Sequence, residues 1–359
     1  MRGLRRDAEE ELPVSGSDQI LTRVWEFGET RSVQGWRRST RHVRNPGFGE
    51  VLVQVRAASL NFRDLVLTSG KYSAGARPPD RIPLSDGAGE VIAVGEGVHR
   101  WRPGDRVAAT FSLGWLDGDM PREAPGLSLG GPIDGVLSEF VTLPEYGLVS
   151  IPDHLSFEEA ATLPCAAVTA WNALFGLVPL RPGQVVLVLG TGGVSVFAMQ
   201  LARIAGAEVI ATSSSDAKLA RASAIGATYT INYRTHPEWS KEVLRLTGGR
   251  GVDHVVEVGG TGTLPQSLDS IRPGGVISLI GILAEGEPSP PARLLRAAGV
   301  LRGIQVGSRR MFEDLNRAIS GSGMRPVVDR VFAFDDAPAA LAYLATGSHV
   351  GKVVIRVGD

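Results

Sequence analysis

Cysteine is nearly absent from this chain of 359 residues, which has only Cys165. A single thiol excludes an intramolecular disulfide framework and any metal site built from several cysteines, and it suits a reducing compartment. Net charge is missing too, because 37 Lys and Arg against 38 Asp and Glu leave −1 at pH 7. No bulk field therefore recruits nucleic acid or an anionic membrane. No apolar run approaches the roughly 18 residues that span a bilayer, and the polar, mixed-charge start Met1 to Glu11 lacks a signal-peptide core. The six histidines, His42, His99, His154, His236, His254 and His349, are scattered, without the spacing of metal ligands. The expectation is a soluble, cytoplasmic protein acting on a small molecule, with no nucleic-acid or membrane partner.

What the chain does have is a glycine-rich turn in a telling place. Val185 to Leu189 is an unbroken apolar run of strand length, and from Val194 to Ala205 apolar positions recur three and four apart among good helix formers. Between them lie Gly190, Thr191, Gly192 and Gly193, with Ser195 where Gly or Ala is usual. In a strand–turn–helix setting the first glycine permits the tight turn and the second lets a pyrophosphate approach the backbone. The helix then offers its free N–H groups and positive dipole end to that anion.

The following strand bears on the cofactor. A unit reading the ribose 2′-hydroxyl of NAD would end it with Asp or Glu. Here Ala207 to Thr212 runs into Ser213, Ser214 and Ser215, with Lys218 three residues on. Hydroxyl donors and a cation favour a 2′-phosphate, and so NADP(H). Lys218 reads equally well as a solvated residue of the next helix.

In chain order, residues 1–20 form a charged, then Pro/Ser/Gly-rich segment expected to be mobile. Short strand patterns follow at 20–36, 51–57, 87–97, from 106 and at 137–143, interrupted by a Gly/Pro/Asp-rich loop over 111–135. They predict a β-rich domain over 21–152. Ser156-Phe157-Glu158-Glu159 opens Ala-rich helical sequence that runs beyond Pro164 to Leu174. Strands at 185–189, 207–212, 228–231, 253–258 and 275–281 then alternate with helices at 194–205, 216–225, 238–246 and 262–271, a doubly wound α/β sheet over 153–321. A helix at 311–319 follows, and a strand at 331–334, a helix at 337–346 and a strand at 352–356 return to complete the first domain with residues 322–359. The apolar run over 275–284 reads as the exposed edge of the parallel sheet, to be covered by a second copy in a homodimer.

Several stretches in one order, among them Pro46–Val55, Ala57–Leu65, Leu84–Val98, Leu163–Ala173, Pro182–Gly193 and Gly248–Gly259, resemble the medium-chain dehydrogenase/reductase superfamily over nearly all of 21–357. The resemblance is to its zinc-independent, quinone-oxidoreductase-like branch and to relatives named alcohol dehydrogenases. It implies a GroES-like catalytic domain with a Rossmann NADP(H)-binding domain inserted into it. It also implies cofactor contacts at Thr169, Tyr233, Gly259 and Ile282. Gly351-Lys352 resembles the closing Gly-Lys element of the family, a possible phosphate contact, with an exposed structural lysine as the alternative.

Where zinc alcohol dehydrogenases place Cys, His-Glu and Cys around a catalytic metal, the matching positions are Asn61, Ser85-Asp86 and Cys165. An amide and a hydroxyl make poor zinc ligands, and Cys165 reads as a small core residue. Without that Lewis acid, transition-state charge has to be held by hydrogen bonds or dispersed in the substrate. A quinone, enone or enal meets that condition. Asn61, Asp64 and Tyr72 match polar positions of the active site in the zinc-free relatives. Asn61 would donate to the oxyanion, Tyr72 would give a hydrogen bond or proton, and Asp64 would orient a neighbour. The simpler alternative is that Asn61 and Asp64 only cap a helix and Tyr72 packs beneath a loop. The expected activity is zinc-independent reduction of a conjugated carbonyl or quinone by NADPH. An NADP(H)-dependent alcohol dehydrogenase or aldehyde reductase, and a non-catalytic NADPH-binding protein, are the alternatives.

Overall fold

The computed structural model describes residues 20–71, 78, 80–281, 283, 284, 286, 287, 289 and 291–358. The N-terminal segment, Tyr72 and Ile282 lie outside the described residues.

The described residues open with β1 (Ile20–Glu26) and β2 (Arg37–Val43), an antiparallel pair forming its own sheet. β3 (Glu50–Ser59), α1 (Phe62–Thr68), β4 (Asp86–Val94), β5 (Arg106–Ala109), β6 (Phe140–Pro144) and β7 (Leu148–Ser150) follow, then α2 (Phe157–Ala160) and α3 (Val168–Trp171). An alternating section comes next: β8 (Val185–Leu189), α4 (Gly193–Ile204), β9 (Glu208–Ser213), α5 (Asp216–Ile225), β10 (Tyr229–Asn232) and α6 (Trp239–Leu246). It continues through β11 (Val252–Glu257), α7 (Leu264–Ser270), β12 (Ile271–Leu279), α8 (Pro291–Ala297) and β13 (Val300–Gly303). The chain ends with α9 (Arg309–Ser322), β14 (Val328–Ala333), α10 (Ala337–Ala345) and β15 (Lys352–Arg356).

The alternating section makes a six-stranded parallel sheet in the order β10-β9-β8-β11-β12-β13. Its strands read as apolar runs because helices cover both faces, and Val186, Leu187 and Val188 are fully buried. Strand order reverses between β8 and β11, so a crevice opens at their carboxyl ends. The other large sheet runs β14-β15-β3-β4-β5-β7, with β6 on β3 and β15 antiparallel to β3. The last strand thus returns to the opening half of the chain. One apolar cluster links the two sheets, from Ala57 and Ala88 through Leu163 and Ala167 to Val188 and Val196.

Three expectations are corrected. The segment 275–284 is not the sheet edge: β12 is flanked by β11 and β13, and β13, which has no strong strand signal, takes the edge. β12 also starts at Ile271, four residues before the expected strand start at 275. Pro273-Gly274-Gly275 lies within the strand, where the pairing with β11 shifts register. The Ala-rich stretch is not one α-helix, since π-helical turns at Leu163–Ala167 and Asn172–Gly176 flank α3. Pro164 stands in the first turn of the Leu163–Ala167 segment, the position where a residue without an N–H costs no intrahelical bond.

Candidate active site

The glycine turn after β8 sits at the reversal point. Gly190 has φ +73°, and a Cβ at Gly190 or Gly192 would meet nothing within 4 Å. α4 begins with no side-chain cap, leaving the N–H groups of Gly193 and Val194 free for an anion. Ser195 is tolerated because its buried hydroxyl donates to the Leu189 carbonyl at 2.7 Å, inside the helix–strand contact. Gly193 is needed for a different reason: a Cβ there would lie 2.7 Å from Cδ of Lys352, whose stem crosses it. Thr191 is buried and its carbonyl accepts from Gly351 N–H at 3.0 Å. An open, uncapped turn of this kind fits a dinucleotide pyrophosphate.

At the ends of β9 and β10, the Tyr233 N–H donates to Ser213 O at 3.1 Å, which brings Ser213, Ser214 and Tyr233 to one edge. Ser213 is buried and its hydroxyl accepts from Ser215 N–H at 3.3 Å, while Ser215 caps α5. The Lys218 ammonium donates to the Gly347 carbonyl. Partial burial lowers its pKa. Asp216, which sequence reasoning passed over, stands in the first turn of α5 and accepts from Asn232 at 2.6 Å. A carboxylate is thus close to the serine edge, though past the strand end where an NAD-type acid belongs.

The second cluster is built on the β3–α1 junction. Asp64, fully buried, accepts from Asn61 N–H at 2.7 Å, the reach-back of a capping box. The helix-capping role is therefore realised for Asp64. Burial raises its pKa to about 6, against the pull of Arg63. Asn61 Oδ1 accepts from Lys352 Nζ at 2.6 Å, and the same ammonium donates to Leu60 O at 2.5 Å. Asp86 Oδ2 lies 3.7 Å from that ammonium and accepts from Cys165 N–H at 3.2 Å, while Ser85 donates to Oδ1 at 2.7 Å. Burial raises the Asp86 pKa, and it pushes the Cys165 thiol up to about 12. Asn61 Nδ2 faces Asp86 but is buried without a hydrogen bond.

Lys352 is only 3% exposed, which overturns the exposed-lysine alternative. A signal was present: it is a lone cation at the head of the apolar run Val353-Val354-Ile355, and such a residue in a central strand must find partners inside. The backbone leading to Ser85 is also unusual. Leu84 has φ +69°, rare for a side chain with Cβ, and Gly135 is held so close to it that a Cβ would strike the Leu84 carbonyl.

Thr169 is buried and donates to the Cys165 carbonyl at 2.6 Å. At the carboxyl end of β11 the buried Glu257 accepts from Gly259 N–H at 2.8 Å, Gly260 N–H at 3.0 Å and Thr263 Oγ1 at 2.6 Å, and so fixes the loop carrying Gly259. Ile282, expected beside it, and Tyr72, expected near Asn61, lie outside the described residues.

Comparison with known proteins agrees with this geometry. The alcohol dehydrogenase GroES-like domain family matches residues 47–153 and the zinc-binding dehydrogenase family matches residues 193–321. A zinc-type alcohol dehydrogenase-like protein of Schizosaccharomyces pombe is 48% identical over 87% of this chain and 92% of its own length. The chain belongs to the medium-chain dehydrogenase/reductase superfamily. It is an oxidoreductase of that family, with a GroES-like and a Rossmann-like domain. A quinone oxidoreductase of Pseudomonas aeruginosa is 32% identical over 86% of this chain and 92% of its own. The solved structure of an NAD-dependent alcohol dehydrogenase is 34% identical, with a TM-score of 0.85 over 94% of this chain and 100% of the other.

The family names raise zinc, and the residues do not fit it. Among the described residues no three His, Cys, Asp or Glu side chains are grouped to hold a metal. The matching positions present an amide, a hydroxyl, one carboxylate and a half-buried thiol, with an ammonium already among them. Nor is any helix among the described residues long and apolar enough to cross a membrane.

Proposed function

We propose that this oxidoreductase reduces conjugated carbonyls, enones, enals or quinones, with NADPH and without a catalytic metal. The observation that carries the reading is the Lys352 ammonium standing between Asn61 and Asp86, where relatives named for zinc would hold their ion. A conjugated acceptor spreads the charge that hydride addition creates, so a few protein donors suffice to hold it. NADPH, when bound, supplies that hydride. Gly190, Gly192, Gly193 and Val194 would receive the pyrophosphate, and Ser213, Ser214 and Tyr233 the 2′-phosphate. Asn61 would be the donor to the developing oxyanion, and Asp64 fixes the backbone from which its side chain springs. Alcohol dehydrogenase or aldehyde reductase activity is the second reading, favoured by two of the relatives' names.

NADPH consumption against an enone and quinone panel, set beside NADP⁺ reduction with primary and secondary alcohols, decides between them. Turnover only with alcohols would overturn the first reading, as would activity that depends on tightly bound zinc and disappears on chelation. Silence with every substrate would leave a cofactor-binding protein. A homodimer is part of the same proposal, now with β13 as the edge it covers: among the described residues the strand has no outer neighbour, and Leu295 of α8 is 82% exposed close by in sequence.

A further inference from the structure

We propose that Lys352 is the resident cation of this active site: a positioning residue whose ammonium occupies the metal's place and fixes which end of the Asn61 amide is free to donate. The inference deepens the reading above and rests on it only for the substrate oxygen that the amide serves.

The donor chemistry decides the amide. An ammonium has three N–H groups and no acceptor, so the Asn61 atom 2.6 Å from Lys352 Nζ must be the carbonyl oxygen. Nδ2 is then the donor end: it faces the Asp86 carboxylate and helps hold that negative charge, and with no partner in full hydrogen-bond geometry it keeps N–H capacity for a substrate oxygen. Leu60 O, Asn61 Oδ1 and Asp86 surround the ammonium with oxygen, a cation's coordination made for a monovalent, covalently tethered ion. Its charge also answers a need. Asp64 and Asp86 are both fully buried, and a buried carboxylate without a cation is strongly destabilising. A divalent ion added beside the ammonium would meet like charge at close range.

The same side chain joins this cluster to the cofactor turn. Lys352 leaves β15 one residue after Gly351, whose N–H holds Thr191 O, and its stem passes over Gly193. The anion-binding turn and the oxyanion donor are thus set by neighbouring atoms of one strand end. A lysine acting as a phosphate ligand would instead turn its head toward the glycine turn, and here the head is committed to Leu60 and Asn61.

The test is chemical replacement in the full chain. Lys352→Ala removes a propylammonium's worth of side chain. Turnover should fall by about 100-fold, the size expected when an oxyanion donor is lost, with Kd for NADPH unchanged within about threefold. Propylammonium should restore at least about tenfold of the rate, saturably, and raise the melting temperature of the variant but not of the wild type. Tetramethylammonium, a cation with no N–H, should do neither. The melting-temperature arm needs no substrate, so it separates this proposal from the choice of reaction. A folded variant that propylammonium neither stabilises nor reactivates would overturn the inference. So would a variant whose loss lies wholly in NADPH affinity, which is the signature of a phosphate ligand. If Lys352→Ala does not fold, Lys352→Met keeps the stem and loses the charge. A fall in kcat at unchanged NADPH affinity supports the inference, and wild-type kcat sinks it.

Discussion

The Gly351 N–H donates to the Thr191 carbonyl at 3.0 Å, which ties the last strand of the chain to the turn that opens α4. Gly351 has φ +84°, and a Cβ there would strike the Val327 carbonyl. Gly351→Ala should therefore cost about 1–3 kcal/mol of stability and weaken cofactor binding together, because one strained backbone serves both. Urea denaturation and a cofactor titration on the same preparation check this. A variant with wild-type affinity and lowered stability would show that the link to Thr191 does not shape the turn.

Gly193→Ala should act on catalysis more than on binding. The new methyl would sit 2.7 Å from Cδ of Lys352 and displace a side chain whose head holds Asn61. kcat is expected to fall by about tenfold or more, with a smaller change in cofactor Kd. A loss confined to Kd would mean that the glycine serves only the pyrophosphate.

Asp64 makes stability fall as pH rises. Burial lifts its pKa from 3.8 to about 6, so between those values the folded state keeps a proton that the unfolded state has released. Its favourable contribution is present below 3.8 and is lost as pH rises through about 6, a change of about 3 kcal/mol for a shift of that size. Asp64→Asn should flatten that part of the curve. Unfolding free energies of both proteins at several pH values between 4 and 8 give the difference, and a pH-independent difference would contradict the assignment.

His254 contributes with the opposite sign. It lies buried in β11 with Nδ1 unpartnered, and burial lowers its pKa from 6.5. The folded state needs it neutral, so its stability is intact above 6.5 and is lost as pH falls through the lowered value. His254→Gln should remove this acid-side loss. The same denaturation series checks it, and an unchanged acid limb would refute it.

Cofactor preference should reverse with one substitution. Ser213→Asp places a carboxylate at the end of β9, where it accepts from a ribose 2′-hydroxyl and repels a 2′-phosphate, and NADPH affinity should drop at least about tenfold. Lys218→Ala should do less, because its ammonium is engaged with Gly347. A wild type that already prefers NADH would point to Asp216 as the ribose acid and end the NADPH proposal.

Much of this protein was legible before any coordinates. The glycine turn, the alternation of apolar runs with amphipathic stretches and the absence of thiol and imidazole clusters depend on local spacing, and local spacing is what a chain displays in order. Those features fixed the parallel sheet and the glycine turn at its reversal point, and they set how few groups are present that bind zinc well. The edge strand β13 was not legible, because four residues without alternation carry no periodic signal and the partner strand alone decides whether they pair. Nor was the position of the Lys352 head. In sequence the lysine stands 291 residues from Asn61, and only the antiparallel return of β15 onto β3 puts the two side chains within 2.6 Å. The sequence determined which chemical groups exist and which helices and strands carry them. The tertiary structure decided which buried charge answers which, because that depends on distance through space and on the exclusion of water, and neither is written in residue order.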